Sequence, residues 1–186
     1  MDLQTRVLKY LRYGNEPTEE QKALVCDAIK EAGRYARPQF VYRFFELSEG
    51  EDGVISCPEL DLNYPSFQKL LTRFQSDSLC ILVSTLGPAI DRRIDALAET
   101  DPAKMVLIDA AANALIEDET NKFQERLGLK EETFRYGPGY GDVPLSMQRA
   151  IFDLMPEISK IGIVLDDSNL MHPMKSMTGL IGFKSQ

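Results

Sequence analysis

The chain has 186 residues, 44% of them hydrophobic and 27% charged, which is an ordinary globular balance with enough apolar material for a buried core. Its 21 Lys and Arg against 29 Asp and Glu leave a net charge of -8, which disfavours non-specific attraction to nucleic acid or anionic lipid. No apolar run reaches the roughly 18 residues of a membrane helix, and the N-terminal stretch lacks the basic lead of a secretion signal, so a cytoplasmic protein without membrane or nucleic-acid partners is expected.

In chain order, helical periodicity opens at Val7, Leu8 and Leu11 and stops at Gly14-Asn15. Thr18 and Gln21 have capping-box spacing, and Leu24, Val25, Ala28, Ile29 and Ala32 continue one apolar face as far as Gly33. Phe40 to Leu47 is aromatic and β-branched. With the turn cluster Glu49-Gly50-Glu51-Asp52-Gly53 and the run Val54 to Cys57, it predicts a β-hairpin. Phe67, Leu70, Leu71 and Phe74 mark another helix, and the almost continuous apolar run Leu79 to Thr85 predicts a central strand.

Gly87-Pro88 starts a helix through Ile90, Ile94 and Leu97. Asp101-Pro102 then supplies a cap and a first-turn proline for the longest helix, which ends at Gly128. Met105, Ile108, Ala112, Leu115, Phe123 and Leu127 are its expected inner side. A Gly/Pro loop at Gly137 to Pro144, a short helix with Ile151, Phe152 and Met155, and strands at Ile161 to Leu165 and Met177 to Phe183 complete the chain. Helices and strands do not alternate regularly, which predicts an α+β fold with a largely antiparallel sheet.

Cys26, Cys57 and Cys80 lack CxxC spacing and read as reduced, small buried hydrophobes. With one histidine, His172, a Cys/His metal site is not expected. The strongest chemical signal is Arg135-Tyr136-Gly137-Pro138-Gly139-Tyr140-Gly141-Asp142. Alternate glycines let a ligand approach the backbone closely, and an Arg fork suits a carboxylate. A Gly/Pro-rich surface turn is the other reading of the same residues. The dinucleotide fingerprint is excluded, because Asp142 stands where its third glycine belongs. The acidic stretch Asp109, Glu117, Asp118 and Glu119 reads either as a solvated helix face or as carboxylates for ligand hydroxyls, and Asn113 and Glu117 share a face at i, i+4.

Phe134 to Gly141, Pro144-Leu145-x-x-Gln148, Ile161-Gly162-Ile163-x-Leu165-x-x-Ser168 and Met171-x-Pro173-x-Lys175-Ser176 follow one another in an order and spacing that resembles the activation domain of cobalamin-dependent methionine synthase, in its short free-standing form. Val7-Leu8-x-Tyr10-Leu11, Ala36-Arg37-Pro38, Ser84-Thr85-Leu86-Gly87 and Ile108-Asp109-Ala110 also fit. The resemblance implies a single unit over 1–186, in which the helical residues 1–36 pack on an α+β body, 37–186, whose curved antiparallel sheet is flanked by helices. It implies S-adenosylmethionine (AdoMet) bound by Arg135, Gly137, Pro138 and Gly139, with Tyr140 towards the corrin and Asn113 and Glu117 near the ligand. No catalytic proton-transfer residue and no metal ligand is implied.

Asn113 stands where the full-length enzymes place a Glu, which removes a charge. Their paired Tyr strand and N-terminal Asp have no counterpart here, so either weak AdoMet affinity or completion of the site by a partner is expected. The implied function is reactivation, in trans, of a methionine synthase by reductive methylation of cob(II)alamin, with a flavodoxin-type electron donor. The chain lacks Asp-x-His-x-x-Gly, so cobalamin would come only through a partner. A non-catalytic binding or regulatory module for corrinoid proteins of other methyltransferase systems is the alternative.

Overall fold

The computed structural model describes residues 2–12, 16–51 and 53–185. Gly14-Asn15, the expected stop of the first helix, and Asp52 of the turn cluster lie outside them. Helix α1 (Leu3–Tyr10) is capped by the Asp2 side chain, which accepts from the Thr5 amide. Helix α2 (Glu19–Tyr35) begins with the expected Thr18/Gln21 capping box and runs two residues past Gly33. Val25, Ala28 and Ala32 are buried on it, whereas Leu24 is exposed.

Strand β1 (Gln39–Glu46) does not form the expected hairpin with the residues that follow. It pairs antiparallel with β4 (Ser78–Thr85), while a hairpin of two residues a side joins β2 (Ser48–Glu49) to β3 (Ile55–Ser56). The physical reason is length: only Ile55 and Ser56 continue as strand after the turn, too little to match an eight-residue strand that β4 pairs along its whole length. Helix α3 (Pro65–Phe74) lies between them in sequence.

Strand β4 is central in the order β1-β4-β7, with β7 spanning Ser176–Phe183, and both pairings are antiparallel. All eight β4 residues are buried, which explains its almost continuous apolar run. The expected α+β class with an antiparallel sheet is borne out, and the sheet is open.

Helices α4 (Pro88–Thr100) and α5 (Pro102–Leu127) meet at Asp101, whose side chain caps α5, and Gly128 ends α5 in the left-handed conformation. The buried side of α5 is broader than expected, because Ala110, Ala111, Ala114, Ile116, Thr120 and Gln124 join Ile108 and Ala112. Met105 and Leu115 are only half-buried. Helix α6 (Met147–Leu154) matches its expected position. The expected strand from Ile161 to Leu165 does not form as such: Pro156–Ile161 is a 3-10 turn ended by Gly162, and only β5 (Val164–Leu165) pairs, with β6 (Met171–His172). A proline at the turn's start and a left-handed glycine at its end shorten the strand.

Alternation along the sheet divides the core. Leu79, Ile81, Val83 and Leu180 face α3 and α6, with Phe67, Leu71 and Ile151. Cys80, Leu82, Ile181 and Phe183 face Phe40 and the Phe123–Leu127 end of α5. A further core joins α1, α2, α4 and α5. Cys57 and Cys80 are buried as expected, whereas Cys26 is half-exposed. Burial pushes the Cys80 thiol up to about 12. No helix among the described residues is long and apolar enough to cross a membrane.

Candidate functional site

The segment after α5 runs along the free edge of β7. The Thr133 amide donates to the Gly182 carbonyl at 2.8 Å, and Tyr136 and Leu180 exchange both backbone bonds at 2.9 and 2.6 Å. In such an extended segment successive side chains point to opposite faces of the sheet. Tyr136 therefore goes to the α3 side, where its ring lies 5.5 Å from that of Phe67 and its hydroxyl is 2.6 Å from Ser66 Oγ. Arg135 goes to the α5 side.

There its Nη1 donates to Gln124 Oε1 and its Nη2 to Asn121 Oδ1, both at 2.6 Å. These partners are neutral, and Arg135 makes no ion pair among the described residues. Burial lowers its pKa below the usual guanidinium range, the direction expected when a cation is partly desolvated without a carboxylate in contact. Its aliphatic stem crosses Gly179 of β7, where a Cβ would stand 2.8 Å from Arg135 Cδ. Only a residue without a side chain leaves the stem that path.

Around Arg135 is a groove of about 490 Å³. Glu117, Asn121 and Gln124 form its α5 wall, Glu132, Tyr136 and Gly137 come from the edge segment, and Phe134 and Tyr140 form an aromatic rim. Phe134 and Tyr140 are 62% and 69% exposed, large apolar areas left open to a ligand's flat face. Glu117 accepts from Tyr10 Oη at 2.6 Å and from Arg6 at 3.1 Å, so α1 fixes its carboxylate. One carboxylate oxygen of Glu132 is sealed from water without a hydrogen-bond partner. The wall thus carries one cation and several acceptors, a polarity suited to a zwitterion.

Arg135, Gly137, Tyr140 and Glu117 are brought together in the groove. Pro138 lies on the far side of Tyr140, in an adjoining trough, and Gly139 turns the loop with a φ of +88°. Asn113 is elsewhere: it donates to Asp109 at 3.1 Å, accepts from Lys175 at 2.7 Å and borders a hollow with Tyr10 and Met105. Asp118 and Glu119 pair with Lys122. Asn121, Gln124, Glu132, Phe134 and Gly179 are additions that the sequence reading does not single out. The first two carry a readable signal, since Glu117, Asn121 and Gln124 stand at i, i+4 and i+7 on one helical face.

Among the described residues no group of three or more His, Cys, Asp and Glu side chains is placed to hold a metal ion. His172 is exposed and lies 3.0 Å from Asp166. That contact, followed by backbone amides of the same loop, holds the Asp166 carboxyl below its usual range.

No protein-family model and no curated protein matches the chain by sequence. Among solved structures, the MetH reactivation domain bound to AdoHcy is similar, with a TM-score of 0.69 at 19% identity, covering 98% of this chain and 74% of that one. The fold is therefore that of the reactivation domain along nearly the whole chain.

Proposed function

We propose that the groove at Arg135 binds AdoMet and that the protein serves, in trans, the reductive methylation of a cobalamin carried by a methionine synthase module. The observation that carries this reading is Arg135 itself, a partly buried cation held by two neutral amides with no carboxylate of its own. Such a group is preset for a ligand carboxylate. The likeness to a domain solved with AdoHcy supports the same choice of ligand.

In this reading the methionyl carboxylate docks on Arg135 and the adenine lies against the rim of Phe134 and Tyr140. Gly137 brings the backbone beside the ligand, and Tyr140 faces the corrin. The single histidine is exposed and engaged with Asp166, and Asp-x-His-x-x-Gly is missing from the sequence, so this chain's residues do not fit a cobalamin held on their own. A partner's cobalamin supplies reduced cobalt as the methyl acceptor, with an external donor providing one electron. The chain's contribution is to hold the sulfonium methyl in line and to exclude water, which needs no nucleophile-base pair.

Calorimetric titration with AdoMet tests the assignment. Arg135→Lys keeps the charge but loses the planar fork, and affinity is expected to fall about tenfold, the worth of one charge-assisted hydrogen bond. Equal affinities would refute the role of Arg135. Absence of AdoMet binding in the wild type, with or without a cob(II)alamin-loaded synthase module, would favour the non-catalytic corrinoid-protein module instead.

A further inference from the structure

The two edges of the main sheet are unequal. The edge of β7 is covered by the segment after α5, through the backbone bonds of Thr133 and Tyr136. Strand β1 forms the other edge, eight residues long, and among the described residues β4 is its only partner strand. Its register sets Gln39 opposite Thr85 and Phe45 opposite Leu79, and in line with it the Leu47 amide donates to the Asp77 carbonyl at 2.8 Å. Backbone bonds of an antiparallel ladder come from alternate residues, so Gln39, Val41, Arg43 and Phe45 turn their backbone groups to β4. The amides and carbonyls of Phe40, Tyr42, Phe44 and Glu46 point away from the sheet and meet no partner among the described residues.

Such an edge is a template for another strand, and proteins that stay apart guard it with Lys, Pro, a bulge or an inward charge. On its α5 face β1 has aromatic rings instead. Tyr42 and Phe44 are 43% and 48% exposed, with ring centroids 5.3 Å apart. Phe40 stacks on Phe123 at 4.3 Å and Phe44 lies 5.4 Å from Phe183, so the stripe is held in place. The charge of Arg43, on the opposite face, is engaged by Glu157 and the Leu154 carbonyl.

This strand is complementary to itself. A two-fold axis at Tyr42 sets Tyr42 opposite Tyr42 of a second copy, Phe40 opposite Phe44, and Glu46 opposite Pro38. The residues so paired are those whose backbone groups point outwards, so each pair of Phe40 with Phe44, and Tyr42 with its mate, exchanges both ladder bonds. Their rings form one cross-strand aromatic ladder. A slip of one residue would oppose outward groups to inward ones and lose the bonds. The same fit brings Glu46 of one copy to the Arg37 end of the other. Both residues are exposed and neither is ion-paired among the described residues, so unlike charges meet at each end. We infer that β1 is a self-association edge, along which two copies join antiparallel and merge their three-stranded sheets. The grooves at Arg135 lie by the β7 edges and stay open, and the inference does not depend on the function proposed above.

Sedimentation velocity of the full chain tests it. Dimer is expected to accumulate across the range from about 1 to 200 μM, because one strand edge is a small contact. Tyr42→Glu places two carboxylates together at the axis and is expected to weaken dimerisation about a hundredfold, whereas Tyr42→Phe retains it. A spin label on Gln39→Cys, with Cys26→Ser to remove the half-exposed thiol, reads the register. Gln39 would oppose Phe45 of the second copy, so the two labelled backbone positions are expected about 20 Å apart. A wild type that is monomeric throughout would overturn the inference. So would a folded Tyr42→Glu protein that still dimerises, or a label distance far from that value. Should Tyr42→Glu melt early, the label distance decides. A monomer whose β1 amides gain exchange protection only with a synthase module would assign the edge to that partner and overturn self-association.

Discussion

Arg135 depends on what stands beneath it. Its far end is tethered to Asn121 and Gln124, so the stem has little room to yield if Gly179 gains a side chain. A Cβ there would meet Cδ at 2.8 Å and Cγ at 3.1 Å. Gly179→Ala is therefore expected to lower AdoMet affinity several-fold with a stability loss of about 1 kcal/mol. Titration and melting of the same sample separate the two effects, and unchanged affinity would show that the stem shifts without cost. Gly139 is a different case. With φ at +88° and the nearest atom, Leu145 Cδ1, 3.7 Å from a built Cβ, the space is open and the backbone is the obstacle. Gly139→Val is expected to cost about 1–3 kcal/mol of stability, and a melting temperature equal to wild type would contradict that.

At the scale of elements, the glycine loop and α3 hold one another. The N-cap residue of α3, Tyr64, makes no side-chain cap, and Pro65 opens the helix. Asp142 from the loop fills that need, accepting from the Ser66 amide at 3.0 Å and from the Ser66 hydroxyl. A carboxylate at a helix N-terminus is favoured by the free amides and the dipole. The Ser66 hydroxyl and then its amide hold the Asp142 carboxyl below the usual range. A depressed folded-state pKa contributes stability that is present above the unfolded value, about 4, and is lost as pH falls through the lower folded value. Asp142→Asn should accordingly melt below wild type at neutral pH, with the gap closing as pH drops from about 4. A gap that persists in acid would mean that the carboxylate's charge is not the stabilising feature.

For the whole molecule, one strand joins everything. Strand β4 is buried on both sides, with α3 and α6 against one face and the end of α5 against the other. The helical core beyond it rests on small residues: Ala32 of α2 and Ala112 of α5 are fully buried, allowing the helices to approach closely. Ala112→Leu is expected to overpack this contact and cost about 1–3 kcal/mol. Because α5 reaches from the helical core to the sheet, the loss should appear as an earlier single unfolding transition in denaturant, with AdoMet affinity of the folded protein retained. Two separate transitions would show that the helical layer and the sheet unfold independently.

Local chemistry was enough to read the helices with caps and stops, namely the Thr18/Gln21 box, Asp101-Pro102 and Gly128, and the strand whose apolar run required burial on two sides. These signals lie within a few residues of one another, where sequence alone determines the outcome. Arg135, Gly137, Tyr140 and Glu117 were legible as candidates through loop chemistry and resemblance. The partner of β1 was not, because it is decided by which distant strand matches eight residues, and β4 lies more than thirty residues downstream. Asn113 shares a helix with Glu117, yet Lys175 from the turn before β7 holds it outside the groove. Gly179, Asn121 and Gln124 acquire a role only when the edge segment is laid along β7, because strand alternation then aims Arg135 across Gly179 towards α5. Tertiary structure likewise leaves Gln148 Oε1 buried without a partner, since hydrogen-bond satisfaction depends on every neighbour at once.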